Sequence, residues 1–296
     1  MLFVMNAGYN VLWGLILMKR LLAWLSLMMV LFVSIPVQAC TLWASNGSVV
    51  NGGGSLIVKN RDWAPNQYQF IKLVSPKIGY RYFGLYAEGK HAGMKAGINE
   101  NGLVVVSASA GSIPSKEREA MPHTGGLLVK LLKECGSVDE AIARTDLFIG
   151  PEILMLADKN KVAAIEIGPE GKFFVEEKEN AVIYHTNHYV YDEMLDLNRV
   201  IGESSQKRYD RIGQLVSTAT TPYDFDNFIS YSNDRNDGPD NSIFRTGSEP
   251  AKTRTMAVWA VKIPQEGSPE VSVRILNPNE DEKVFKIIAA DVFHSL

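Results

Sequence analysis

The strongest constraint on this chain is a change of hydrophobic period that recurs along its length. Short apolar and β-branched runs come first, at 41–50, 55–60, 69–74, 80–86, 91–98 and 103–108, parted by turn residues such as Asn51-Gly52-Gly53-Gly54 and Asn99-Glu100-Asn101-Gly102. Leu127, Leu128, Leu131 and Leu132 then recur at helical spacing behind a candidate cap at Thr124. A second helix opens at Ser137-Val138-Asp139-Glu140 with a capping-box pattern and runs through Ala143. Strand-like runs return at 153–157, 162–167, 172–176 and 181–184, helical ones at 205–216 and 223–231, and two last strands at 255–261 and 270–276. The polar stretch 232–250 reads as a long loop able to border a pocket. A sheet or helix must bury its apolar face against another layer. Strands, helices, strands, helices, strands therefore predicts a single α+β domain, two sheets stacked between helical layers, without internal repeats.

Ahead of this pattern lies a different kind of segment. Residues 1–39 contain no acid, and Met18-Lys19-Arg20 followed by the largely apolar run 21–33 has the charged and hydrophobic regions of a secretory signal, with Met18 a candidate true start. A membrane anchor is the alternative, but the run is 13 residues, below the roughly 18 of a spanning helix. Val37 and Ala39 are small, which makes Ala39–Cys40 a plausible cleavage site. The expectation is a signal peptide over 1–39, a single domain over 40–296, and a periplasmic or secreted protein without stable membrane insertion after the cut.

Cleavage there leaves Cys40 as residue one, with a thiol and a free α-amine on the same residue, so the nucleophile brings its own base. An amine near pKa ~7.7 to 8.0 and a thiol near ~8.5 exchange a proton at little cost at neutral pH. Two plainer readings compete: the lipid-modified cysteine of a lipoprotein, disfavoured because Gln38 is not small, and a cysteine that merely follows a cut. Cys135, the other cysteine, follows an apolar helical run and reads as a small buried hydrophobe.

Removing residues 1–39 takes away Lys19 and Arg20 and leaves 28 basic against 33 acidic residues, net −5. That balance provides no basic footprint for nucleic acid or an anionic membrane. The triple glycine at 52–54 lacks the Gly-Lys-Ser/Thr and helix of a phosphate loop.

Lys59-Asn60-Arg61-Asp62-Trp63 ends the second strand one hairpin after Cys40, so its end returns beside the nucleophile. An acid there can hold the α-ammonium or the thiol proton, and the neighbouring cations can lower the thiol pKa; a charged strand end in solvent is the plain alternative. Tyr184-His185-Thr186-Asn187-His188-Tyr189 ends an apolar strand in polar and aromatic groups, the kind of place where a scaffold presents a site. The Asn187 amide can donate to an oxyanion. His185 and His188 have no Cys or carboxylate at ligand spacing, so no metal site is expected. Arg208 and Arg211 sit on neighbouring faces of the following helix, where a salt bridge is the default.

Taken together, Cys-Thr at 40–41, Lys-Asn-Arg-Asp-Trp at 59–63, Asn-Glu-Asn-Gly-Leu at 99–103, Thr-Asn-His-Tyr at 186–189 and Ser-Ser-Gln-Lys-Arg-Tyr at 204–209 occur in the order of the N-terminal-nucleophile cysteine hydrolases. The chain resembles their branch of acyl-coenzyme A:6-aminopenicillanic acid acyltransferase-like proteins. It is more distantly similar to penicillin V acylases and choloylglycine hydrolases, over residues 40 to about 260. The resemblance implies an αββα sandwich and a linear amide carbon–nitrogen hydrolase or acyltransferase, acting without a cofactor on a small N-acyl amide. It also implies that Cys40 is the nucleophile, Asp62 the acid positioning it, Asn187 an oxyanion donor and Arg208 the arginine supporting the thiolate. Lys59 stands where bile salt hydrolases have an arginine, and a point charge replaces a planar fork. Ser109, or a neighbour in Ser107-Ala108-Ser109, stands where those relatives have an oxyanion asparagine. A periplasmic lipoprotein-type binding protein is the alternative from another class. Oligomeric state is left open, a homo-oligomer included.

Overall fold

Residues 39–89 and 91–294 are described by the computed structural model. Their strands pair antiparallel into two sheets. The six-stranded sheet runs in the order β10 (Val182–His185), β1 (Ala39–Asn46), β2 (Ser55–Trp63), β11 (Arg254–Ile263), β12 (Glu270–Ile275), β13 (Lys283–Ile288). The seven-stranded sheet follows chain order through β3 (Gln69–Val74), β4 (Tyr82–Ala87), β5 (Gly93–Asn99), β6 (Val104–Ser109), β7 (Glu152–Ala157), β8 (Val162–Ile167) and β9 (Phe173–Lys178).

Three apolar layers follow from the two-residue period of strands packed on both faces. Between the sheets lie Leu42, Ala44 and Ile57 of the first sheet and Phe83, Ile98, Val104, Val106 and Met155 of the second. On the far side of the second sheet, Val105, Leu154 and Ile165 pack against Leu127, Leu128, Leu131 and Leu132 of helix α2 (Leu127–Glu134). On the far side of the first sheet, Trp43, Leu56 and Val58 meet Ile212 of α4 (Glu203–Thr218) and Phe228 of α5 (Phe225–Ser230). The order is helix, sheet, sheet, helix, the α+β sandwich expected from the alternating pattern.

Local chemistry sets several boundaries. Ser137 caps α3 (Val138–Ile142) by accepting from the Glu140 N–H at 3.2 Å, as the capping-box pattern predicts. The Asn99 side chain accepts from the N–H groups of Asn101 and Leu103 and donates to the carbonyls of Leu132 and Cys135, which ties the turn to the end of α2. Thr124 is not the cap of α2: Gly126 holds that position in a left-handed conformation, φ +67°. Four elements depart from the expectations: α1 (Ser115–Ala120), β13 and α7 (Ala289–His294) are present, and 232–250 contains a single turn of helix, α6 (Gly238–Asn241). Cys40 and Cys135 are both free and buried. Among the described residues no helix is long and apolar enough to cross a membrane. The expected leader lies outside the described residues, except that Ala39 is the first residue of β1.

Candidate active site

The end of β2 is not a charged strand end in solvent. Lys59, Asn60, Arg61 and Asp62 are each at most 2 % exposed, in a strand flanked on both sides by β1 and β11. Four consecutive polar residues in the middle of a sheet carry a large desolvation cost, so each must meet a partner. The register pairs Cys40 with Arg61 and Ala39 with Asp62. Because side chains alternate, Cys40, Lys59 and Arg61 face the second sheet, whereas Thr41, Asn60 and Asp62 face the helices.

On the thiol face, the Arg61 guanidinium interacts electrostatically with the Cys40 side chain. Its Nε donates to Gln69 Oε1 at 3.1 Å, its Nη2 to Gln67 Oε1 at 2.9 Å, and it lies 4.6 Å from the Trp63 ring centroid. Lys59 donates through Nζ to the main-chain carbonyls of Lys95, at 2.6 Å, and Ser107. Burial pushes its pKa down to about 8, with the Cys40 charge opposing. A cavity of about 250 Å³ opens on this face, lined by Cys40, Lys59, Arg61, Trp63, Lys95 and Glu152 among others. A larger groove, about 760 Å³, is lined by Arg81, Glu100, Asp158 and Pro264 and shares no residue with it; the Cys40 thiol belongs to the smaller one.

On the main-chain side, the Cys40 N–H donates to Asn187 Oδ1 at 2.8 Å. Asn187 Nδ2 donates to Ser109 O at 2.9 Å, and the Asn187 N–H is held by Ser205 Oγ at 2.9 Å. Arg208 binds from α4: Nη1 donates to Cys40 O at 2.5 Å and Thr41 Oγ1 at 2.9 Å, and Nη2 to Asn187 Oδ1 at 3.0 Å. Asp62 Oδ1 accepts from Thr255 Oγ1 at 2.8 Å, while Oδ2 is buried with no partner. Burial raises the Asp62 pKa, against the pull of Arg245 and Arg208.

The six residues singled out from sequence, Cys40, Lys59, Asp62, Ser109, Asn187 and Arg208, thus converge, but three differ in detail from their expected parts. Lys59 points its ammonium at two carbonyls of the second sheet. The hydrogen bonds of Arg208 fix the Cys40 carbonyl and not its sulfur. Ser109 meets Asn187 through its main-chain oxygen. Arg61, Lys95 and Glu152 received no individual role from sequence. The signal for Arg61 was its place two residues after Lys59, on the same face of the same strand. His185 and His188 are occupied elsewhere: His185 Nε2 pairs with Glu166 Oε1 at 2.7 Å, both fully buried, and His188 Nδ1 lies 2.9 Å from Ser205 Oγ. Trp63 lines the cavity, whereas Trp43 is core and Tyr68 is exposed.

A family model described as Acyl-coenzyme A:6-aminopenicillanic acid acyl-transferase matches residues 49–271, a span that contains Lys59 to Arg208 and begins after Cys40. Among solved structures, a variant of conjugated bile acid hydrolase from Clostridium perfringens is similar with a TM-score of 0.55 at 14% identity, over 85% of this chain and 93% of its own. Penicillin V acylase from Agrobacterium tumefaciens is similar with a TM-score of 0.48 at 15% identity, over 85% of this chain and 86% of its own. No curated protein matches the chain by sequence.

Proposed function

Because this chain belongs to the acyl-coenzyme A:6-aminopenicillanic acid acyl-transferase family of amide hydrolases and acyltransferases, we propose that it is an exported hydrolase of linear amide bonds in small N-acyl compounds. Cys40 is its nucleophile once the Ala39–Cys40 bond is cut. The observation that carries this reading is the buried Asp62 Oδ2, which lacks a donor while Ala39, fully buried, sits opposite Asp62 in the ladder. A buried carboxylate oxygen without a partner is costly. Loss of Ala39 opens the space beside it and turns the Cys40 amide into an ammonium, a hydrogen-bond donor of the kind that this oxygen lacks.

The chemistry follows from the groups present. The α-amine takes the thiol proton, and the thiolate, next to Arg61, attacks the amide carbonyl. The second Nδ2 proton of Asn187 is available to the oxyanion. The α-ammonium then protonates the leaving amine, the carbon–nitrogen bond breaks and a thioester remains. Water gives a proton to the same amine, attacks the thioester and releases the acid, which restores the thiol. An amine in place of water makes the same site an acyltransferase, a second reading favoured by the family to which the chain belongs.

The test is intact-mass analysis of active protein during turnover of an N-acyl amide. The expected result is a chain starting at Cys40 that gains the acyl mass, reversibly and on Cys40 alone, with acid as product; added amines that divert the product to a new amide mark the acyltransferase. Activity from a chain starting at Met1 or Met18, or a lipidated Cys40, overturns the reading.

A further inference from the structure

We propose that the cavity bordered by Arg245 and Arg254 is a second binding site, for a small oxyanion such as phosphate or a carboxylate. It shares no residue with the cavity that holds the thiol, and it stands apart from the reading of Cys40. Its volume is about 580 Å³, and it lies between residues 244–256, which lead into β11, and residues 276–282, which join β12 to β13. Arg245 is 6 % exposed, and its Nε and Nη1 are buried with no hydrogen-bond partner among the described residues. Arg254 Nε is in the same condition, while its Nη2 donates to the carbonyls of Glu249 at 3.2 Å and Pro250 at 3.1 Å. A buried charged donor left unpaired is costly, and native structures leave few of them. Three such atoms on two residues that border one cavity point to a partner from outside the chain.

The acids nearby do not fill that place. Burial raises the Asp62 pKa and Arg245 is the first charge that opposes it, yet Asp62 Oδ1 is taken by Thr255 Oγ1 and Oδ2 has no hydrogen bond among the described residues. Asp240 also feels the charge of Arg245, but it lies outside the cavity and accepts from the N–H and hydroxyl of Ser248. Glu280 and Glu282 do border the cavity, and each has a cation of its own, Lys283 at 2.8 Å and Arg274 at 2.7 Å. The carbonyls that hold Arg254 are neutral and leave its charge unbalanced. A guanidinium is always charged and presents a rigid fork of donors, which matches the paired oxygens of a carboxylate or phosphate. Both arginines have long side chains on the cavity wall, so a turn about their last bonds brings the free nitrogens to a bound oxyanion. The volume equals that of about nineteen liquid waters, room for a phosphate or a short organic acid with its hydration.

The test is calorimetric titration of the protein with sodium phosphate and, separately, with sodium acetate, at an ionic strength held constant with sodium chloride. Saturable binding of one anion per chain is expected, and which of the two salts saturates tells a phosphate site from a carboxylate site. Arg254→Gln should weaken that affinity ~10-fold or more, the size of one charge-assisted hydrogen bond. Arg235→Gln and Lys252→Gln remove cations that lie outside the cavity and should leave the affinity unchanged. In nitrogen-15 spectra of the unsubstituted protein, the Nε–H signals of two arginines should shift along the same binding curve, a readout that needs no variant to fold. No saturation by either anion overturns the proposal, as does an affinity unchanged in Arg254→Gln. Nε–H signals that stay in place while the anion binds overturn it too, and so does an equal loss in Arg235→Gln and Lys252→Gln, which assigns the binding to general surface charge.

Discussion

At Cys40 the neighbours divide between the two faces of one strand. The sulfur meets Arg61, whereas the main chain is gripped by Asn187 and Arg208. On the proposed reading, the separation lets one set of groups tune reactivity and the other fix position. Cys40→Ser should lose at least about 100-fold in amide turnover per folded molecule, because a hydroxyl is a poor nucleophile with only an amine as base; initial rates on protein checked by circular dichroism decide this. Arg61→Gln keeps a hydrogen-bonding side chain but removes the cation nearest the thiol, so iodoacetamide should alkylate Cys40 about 10-fold more slowly at neutral pH. Equal alkylation rates would leave Arg61 a purely structural partner of Gln67 and Gln69.

The segment from β10 to α4 delivers Asn187, and its rigidity comes from buried polar contacts. Glu166 Oε1 accepts from the Val190 N–H at 2.6 Å and pairs with His185, while Ser205 Oγ binds the Asn187 N–H and His188. Burial, with His185 and Arg208 adding, lowers the His188 pKa from 6.5 to about 4. The sign is that of a buried neutral base. Above pH 6.5 neither state binds the proton; below it the unfolded chain does and the native one does not. Stability therefore falls from pH 6.5 down to about 4, by up to about 3 kcal/mol from this residue. Urea unfolding at pH 7.5 and pH 5 should show the decrease, and His188→Gln should reduce the difference between the two. A pH dependence unchanged in that variant assigns the proton uptake elsewhere.

For the whole molecule, the proposed reading of Cys40 puts folding and activation on either side of one bond. With Ala39 attached, the Cys40 nitrogen is an amide that donates to Asn187 Oδ1 and cannot accept a proton. Both sheets and all three apolar layers are complete in this state. A protein with an uncleavable Ala39–Cys40 junction should thus fold and be inactive. A chain expressed with Met directly before Cys40, which methionine removal exposes, should be active without export. Turnover of the two, compared beside their near-ultraviolet spectra, provides the check; equal activity would call for an internal base in place of the α-amine.

The change of hydrophobic period by itself determined the layers, because burying a face at period two or near 3.6 is a local property of the chain. Motif order likewise pointed to Cys40, Asp62, Asn187 and Arg208. What lacked a local signal was missed: Ser115–Ala120 has no buried residue, and Lys283–Ile288 is largely exposed. Only the tertiary structure decided how the site residues divide their work. Asn187 and Arg208 reach Cys40 from 147 and 168 residues away, and such partners follow from sheet register and helix packing, which no short window of sequence contains. Register set Arg61 opposite the thiol and Asp62 opposite Ala39, and the second sheet supplied the carbonyls that hold Lys59.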